Sequence, residues 1–175
     1  MKSIVSITDL SADQILSLID KSIELKSELR NAGIHAELPL RQRSMAMIFD
    51  KSSLRTRLSF EIGMTQLGGH GVYLAPDDIR LGARETVHDT AVVISGMADV
   101  IVARVSSHEA VQEMAKHSSV PVINAMTDAE HPCQALAETP GDSLYPLGAA
   151  IRISMPSDSA ASARELVTLL SASPT

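Results

Sequence analysis

Met45-Ala46-Met47-Ile48-Phe49, then the polar turn Asp50-Lys51-Ser52, then Ser53-Leu54-Arg55-Thr56-Arg57 is the stretch whose reading decides the fold. Five consecutive apolar residues read as a strand buried on both faces, as in a parallel sheet between helical layers. From Leu54 to Leu67 the apolar residues recur at helical spacing. A buried parallel strand therefore delivers the chain to a helix N-terminus. Such a terminus presents unpaired N–H groups and the positive end of the helix dipole, so it attracts anions. Ser53 stands where it would cap the helix. Thr56 adds a hydroxyl to the same first turn, and Arg55 supplies a forked cation suited to phosphate oxygens. Arg57, two residues on, points elsewhere, with Glu61 one turn ahead as its ion-pair partner. The same five residues also suit a capped helix with ordinary surface arginines, so the neighbouring elements must decide.

Upstream, Ser11-Ala12-Asp13-Gln14 is a capping box. It opens a helix to about Arg30 in which Ile15, Leu16, Leu18, Ile19, Ile23 and Leu25 form one buried face. Gly33 ends it as a left-handed cap. Residues 39–44 are a basic connector into the 45–49 strand. Downstream, Gly68-Gly69 stops the second helix and Val72-Tyr73-Leu74 forms a short strand. Residues 76–85 read as a long polar loop, a place where function concentrates. Thr86 caps a helix to about Gly96, and 100–103 is a third strand ending at Arg104. Ser107 caps a helix over 108–117, and 120–123 is a fourth strand. His131-Pro132-Cys133-Gln134 opens a last helix to about Glu138, with Pro132 at its first position.

Strands alternating with helices predict an α/β fold, a parallel sheet with helices on both faces. Ligands of such sheets bind beyond the carboxyl ends of the strands. The segment 53–57, Arg104 and the segment 131–134 all fall at those ends, so they read better as one polar site than as three coincidences. The site offers cations, hydroxyls, an imidazole and a carboxamide. It has no carboxylate pair, no metal-ligand spacing and no Walker loop. Its chemistry is anion binding next to an activated carbonyl. Cys133 stands two residues from His131, so on a helix the two diverge and a Cys–His dyad is not expected.

The composition sets bounds. The 175 residues suit an ordinary domain, and 45% apolar with 21% charged content is normal for a globular chain. Aromatic residues make up only 2%, so Leu, Ile, Val, Met and Ala must fill the core. A net charge of −6 and a pI near 5.4 argue against a general nucleic-acid partner. Cys133 is the only cysteine, which excludes an internal disulfide and points to a reducing compartment. No apolar run approaches the ~20 residues of a membrane span. A cytoplasmic protein with neither nucleic-acid nor membrane partners is expected.

Several motifs together resemble the aspartate/ornithine carbamoyltransferase family. They are Ser53-Leu54-Arg55-Thr56-Arg57, Leu67-Gly68-Gly69, Asp78-Ile79-Arg80-Leu81-Gly82, Asp89-Thr90-Ala91, Ala103-Arg104-Val105 and His131-Pro132-Cys133-Gln134-Ala135-Leu136-Ala137. They stand in the family's order and spacing as far as about Glu138. His-Pro-Cys-Gln is similar to the ornithine branch; the aspartate branch usually has Thr or Ser where Cys133 stands. Leu54 replaces the Thr of the commonest motif, as also happens in ornithine enzymes and in relatives acting on acylated ornithine.

The resemblance implies carbamoyl transfer from carbamoyl phosphate to the δ-amine of ornithine, in arginine biosynthesis or the arginine deiminase pathway. No cofactor and no metal are implied. Ser53, Leu54, Arg55 and Thr56 would hold the phosphate. Arg104 would bridge phosphate and carbonyl, His131 would donate to the carbonyl oxygen, and Gln134 would hold the carbamoyl amine. Arg104, His131 and Thr56 would be the catalytic group. A trimer-based homo-oligomer is implied, with Arg80 or Arg84 reaching a neighbour's site. Residues 1–138 are expected to form the carbamoyl-phosphate-binding domain and 139–175 a remnant of the ornithine-binding domain. The alternatives are a non-catalytic carbamoyl-phosphate-binding or assembly domain, and a carbamoyltransferase for an acylated ornithine.

Overall fold

The computed structural model of the chain describes residues 3–79 and 85–137. The expected features of Arg80, Arg84 and residues 138–175 lie outside the described residues. Ile4 pairs in parallel with Ile123, its N–H donating to the Val122 carbonyl at 2.8 Å. A 3-10 turn at Ile7–Asp9 follows, then helix α1 (Ala12–Ala32). The capping box forms as expected. The Gln14 N–H reaches Ser11 Oγ at 3.3 Å and the Ser11 N–H reaches Gln14 Oε1 at 2.9 Å. Gly33 ends α1 with φ 76°. The expected buried face is largely missing, because only Ile15 of α1 is buried while Leu16, Leu18 and Ile23 stay exposed. The periodicity was real, but periodicity states only which residues share a face.

Strand β1 (Ser44–Phe49) runs into helix α2 (Leu54–Gln66), as the apolar run and the amphipathic run required. Gly68 turns the chain at φ 87°, and a Cβ on Gly69 would sit 2.5 Å from Met64 Cε. Strand β2 (His70–Leu74) follows. The stretch expected as loop from Pro76 begins instead with one helical turn, α3 (Pro76–Ile79). Asp78 holds that turn by accepting the Ala75 N–H at 2.8 Å.

Helix α4 (Val87–Ser95) is capped by Thr86, whose Oγ1 accepts the Asp89 N–H at 3.0 Å. Strand β3 (Val100–Arg104) leads to helix α5 (His108–His117), capped by Ser107. Strand β4 (Val122–Met126) starts two residues later than the expected 120–123. Pro121 has no N–H to donate, and the Val120 N–H is taken by Ser118 Oγ, so pairing begins at 122. The strand also holds buried Asn124, which interrupts the apolar run. Helix α6 (Pro132–Ala137) closes the described chain.

The four strands are all parallel, in the order β2-β1-β3-β4. Helices cover both faces. Ile48, Ile101, Ala103 and Val122 pack toward Ala91 of α4 and Val111 and Met114 of α5. Met45, Met47, Phe49 and Val102 pack with Met64 and Phe60 of α2. The α/β expectation therefore holds. After β1 the chain moves to β2 on one side; after β3 it moves to β4 on the other. The carboxyl ends of β1 and β3 thus flank the point where the connections diverge, which is the ligand crevice of open parallel sheets.

Candidate anion-binding site

Phe49 and Arg104 are paired residues at the carboxyl ends of β1 and β3. The Asp50 N–H donates to the Arg104 carbonyl at 3.1 Å, so the pairing runs one residue past β1. Against β4 the register shifts between Ala103 and Arg104, an irregularity that bends a strand end and re-aims its side chain. Arg104 Nη1 donates to Thr56 Oγ1 at 3.3 Å, and Ser53 Oγ donates to the same oxygen at 3.0 Å. Thr56 lies inside, only 8% exposed. Its oxygen accepts from both neighbours, so its own O–H hydrogen is directed at neither.

Ser53 occupies the N-cap position of α2, but it makes no side-chain cap bond. That corrects the expected capping role: the hydroxyl is committed to Thr56. The first helical bond runs from the Arg57 N–H to the Ser53 carbonyl at 3.2 Å. The amides of the first turn, which no helix pairs internally, therefore receive nothing from Ser53 Oγ. Leu54, the first residue of α2, leaves its side chain 73% exposed.

Burial lowers the pKa of Arg104 most, the Asp50 carboxylate opposes this, and the Arg55 guanidinium adds to the lowering. A guanidinium so shifted remains protonated. Arg55 and Arg104 thus act as two cations in one electric field. Arg104 Nε is buried without a hydrogen-bond partner among the described residues. Asp50, not foreseen from the sequence, accepts the Ser106 N–H at 2.6 Å and so ties the β1 and β3 loops together. A carboxylate one residue beyond a buried strand was the available signal. Arg57 behaves as expected. Its Nε lies 3.2 Å from Glu61 Oε1, and its guanidinium sits 4.0 Å over the Tyr73 ring.

His131 and Gln134 follow β4 at the same end of the sheet. The carbonyl of His131 accepts the N–H groups of Gln134 (3.0 Å) and Ala135 (3.1 Å), which starts α6. The Gln134 N–H also reaches His131 Nδ1 at 3.2 Å. Gln134 is 7% exposed. Cys133 points the other way, its Sγ–H donating to the Asn124 carbonyl at 3.4 Å. Its sulfur is enclosed although the residue reaches the surface, and burial pushes the thiol pKa up to about 12. No Cys–His dyad forms. The structure thus joins Ser53, Thr56 and Arg104 directly, sets Arg55 beside Arg104, and holds His131 and Gln134 together one strand over.

A groove of about 750 Å³ lies elsewhere, between the first residues and α5. It is lined by hydroxyls with Asp9 and Glu130 and by no lysine or arginine, so it is not the anion site. Among the described residues no group of three or more His, Cys, Asp or Glu could hold a metal, and no helix is long and apolar enough to cross a membrane.

Comparison with known proteins agrees with this geometry. The sequence profile described as "Aspartate/ornithine carbamoyltransferase, carbamoyl-P binding domain" matches residues 2–139. The ornithine carbamoyltransferase of Hydrogenovibrio crunogenus is 51% identical over 138 residues, covering 79% of this chain and 45% of the relative. That of Methanosarcina acetivorans is 48% identical over 137 residues, covering 78% of this chain and 45% of the relative. The crystal structure of ornithine carbamoyltransferase from Burkholderia thailandensis superposes with a TM-score of 0.75 at 42% identity, over 79% of this chain and 47% of that one. The chain spans somewhat under half the length of the relatives it matches. With a matching profile over most of its length, the same α/β fold and the Ser53–Thr56–Arg104 cluster at the sheet's switch point, the chain belongs to the aspartate/ornithine carbamoyltransferase family.

Proposed function

We propose that residues 53–134 bind carbamoyl phosphate and form the carbamoyl-donor half of an ornithine carbamoyltransferase. The observation that carries the reading is the Thr56 oxygen accepting from both Ser53 and Arg104, next to the first turn of α2. Ser53, Arg55, Thr56 and the Leu54 backbone hold the phosphate. Arg104 bridges phosphate and carbonyl oxygen, His131 donates to that oxygen, and Gln134 holds the carbamoyl amine. The neutral δ-amine of ornithine attacks the carbonyl carbon, forming a C–N bond. Thr56, Arg104 and His131 stabilise the tetrahedral oxyanion as donors already in place. The C–O bond to phosphate then breaks, phosphate leaves against Arg55, and the amine releases a proton to give citrulline. Positioning and electrostatics carry this chemistry, with no covalent enzyme intermediate.

The ornithine branch, rather than the aspartate branch, is supported by Cys133 in the His-Pro-Cys-Gln motif and by the names of the relatives. A domain division at 138/139 is in keeping with a family match that ends at residue 139. A cytoplasmic setting fits a chain whose one cysteine, Cys133, can form no internal disulfide. A trimer-based assembly, with Arg80 or Arg84 reaching a neighbour's site, rests on the family resemblance. Calorimetric titration with carbamoyl phosphate tests the binding role, and citrulline formation from ornithine tests turnover. Acetylornithine and aspartate as acceptors test the branch. Absence of carbamoyl phosphate binding overturns the reading.

A further inference from the structure

We infer that His131 is the N-cap of α6 and that its capping bond locks the imidazole as the Nε2–H tautomer. The His131 carbonyl accepts the Ala135 N–H, the first four-residue bond of the helix, at 3.1 Å. That bond defines His131 as the N-cap. Its Nδ1 accepts the N–H of Gln134, the third helical residue, at 3.2 Å, in a bond which that N–H shares with the His131 carbonyl at 3.0 Å and which takes the place of a Ser or Asn cap oxygen. An imidazole nitrogen that accepts carries no hydrogen, so the neutral ring keeps its hydrogen on Nε2. Pro132 contributes from the sequence side. It has no N–H and favours the first helical position, which leaves residue 131 at the cap. One hydrogen bond therefore serves folding and chemistry together: the tautomer that starts the helix is the one with a donor on the ring edge away from it.

In this account Gln134 acts through two atoms. Its backbone N–H is a positioning group for His131, and its carboxamide is a substrate contact. The significance of the Nε2–H donor for a carbamoyl oxygen rests on the function proposed above. The tautomer itself does not.

Nitrogen-15 NMR of the histidine rings in the 175-residue chain, without ligand and at a pH where the rings are neutral, tests the inference. The chain has six histidines, so His131 is assigned by the signals missing in His131→Asn. Asn is itself a good N-cap and keeps the helix start. The expected His131 pattern has the hydrogen on Nε2 and a bare, acceptor-type Nδ1. It should persist in Gln134→Ala, which keeps the amide, and relax toward a mixture in Gln134→Pro, which lacks it. A hydrogen on Nδ1, or an even mixture in the unaltered chain, overturns the inference. Titration of the same sample with phosphonoacetamide and inorganic phosphate separates the two claims. Failure to bind either overturns the functional reading while leaving the tautomer result standing. If the functional reading holds, His131→Asn narrows the preference for phosphonoacetamide over phosphate about tenfold.

Discussion

Arg104 Nη1 and Thr56 Oγ1 lie 3.3 Å apart, joining the end of β3 to the first turn of α2 across the sheet's switch point. The two residues are 48 positions apart in the chain. Their contact holds a half-buried guanidinium against the first turn of α2. Thr56→Val preserves shape but removes the oxygen that both Arg104 and Ser53 use. Stability should fall by about 1–3 kcal/mol, because two donors lose a shared buried acceptor. Carbamoyl phosphate affinity should fall at least tenfold. Thr56→Ser, which restores the oxygen, should recover most of both losses in denaturation and calorimetry. Failure of Ser to rescue binding would show that the hydroxyl is not a ligand contact.

On the function proposed above, Arg55 belongs to binding, whereas Arg57 belongs to folding. Arg55→Ala should weaken carbamoyl phosphate by about 2–5 kcal/mol, effectively abolishing binding, because a charged contact in a partly desolvated site is lost. Arg57 is instead engaged with Glu61 and the Tyr73 ring, and Tyr73 meets Phe49 edge-on at 5.3 Å. Arg57→Ala should cost about 1 kcal/mol of stability, a half-exposed ion pair plus a cation–π contact. Its affinity for carbamoyl phosphate should change less than twofold. Calorimetry and chemical denaturation on both variants decide the assignment, and a stable Arg57→Ala that cannot bind would reverse it.

These two arginines also mark how far the sequence carries. Continuous apolar runs alternating with helical spacing follow from backbone geometry and burial, so the parallel sheet, its helices on both faces and the pairing of Arg57 with Glu61 were legible. So were the caps at Ser11, Gly33, Thr86 and Ser107, whose partners lie within four residues. Ser53 was misread because its hydroxyl answers to Thr56, whose oxygen is also claimed by Arg104 of another strand. The exposure of α1 was not legible, since periodicity does not say what lies opposite a face. Asp50 escaped notice because the groups it acts on, the Arg104 guanidinium at the end of β3 and the Ser106 amide just after it, are distant in sequence. The bond from the Gln134 N–H to His131 Nδ1 has a backbone donor that every residue except proline carries, so no side-chain motif announces it.

Asp99 predicts a pH dependence. Its carboxylate accepts the Ser44 N–H (2.8 Å), Arg43 Nη1 (2.7 Å) and Ser44 Oγ (2.9 Å), fastening β1's start to the approach of β3. These bonds, the Ser44 amide foremost, lower its pKa to about 2. A carboxylate with a depressed folded value stabilises the fold above its unfolded pKa, near 4. That contribution is lost as pH falls from about 4 through about 2. Asp99→Asn should therefore be less stable than the parent at pH 7, with the gap closing between pH 4 and 2. Urea denaturation midpoints across that range check it. A gap that stays constant down to pH 2 would mean that the charge of Asp99 does not act in folding.

Leu54 offers a gain rather than a loss. It is the first residue of α2 and leaves its side chain 73% exposed, so replacing it disturbs little packing. If phosphate sits on this turn, a hydroxyl on residue 54 adds a donor to an anion that the Leu54 side chain cannot supply. Such a bond contributes about 0.5–1.5 kcal/mol net, or roughly 2- to 10-fold in affinity. Leu54→Thr should thus tighten carbamoyl phosphate and inorganic phosphate alike, since the new contact is to phosphate and not to the carbamoyl group. Leu54→Val separates the hydroxyl from the change in shape, because it keeps the branched side chain without the donor. Thr tight and Val unchanged places the phosphate against the first turn of α2. Equal affinities for all three would put the anion beyond reach of residue 54 and shift the site toward Arg104.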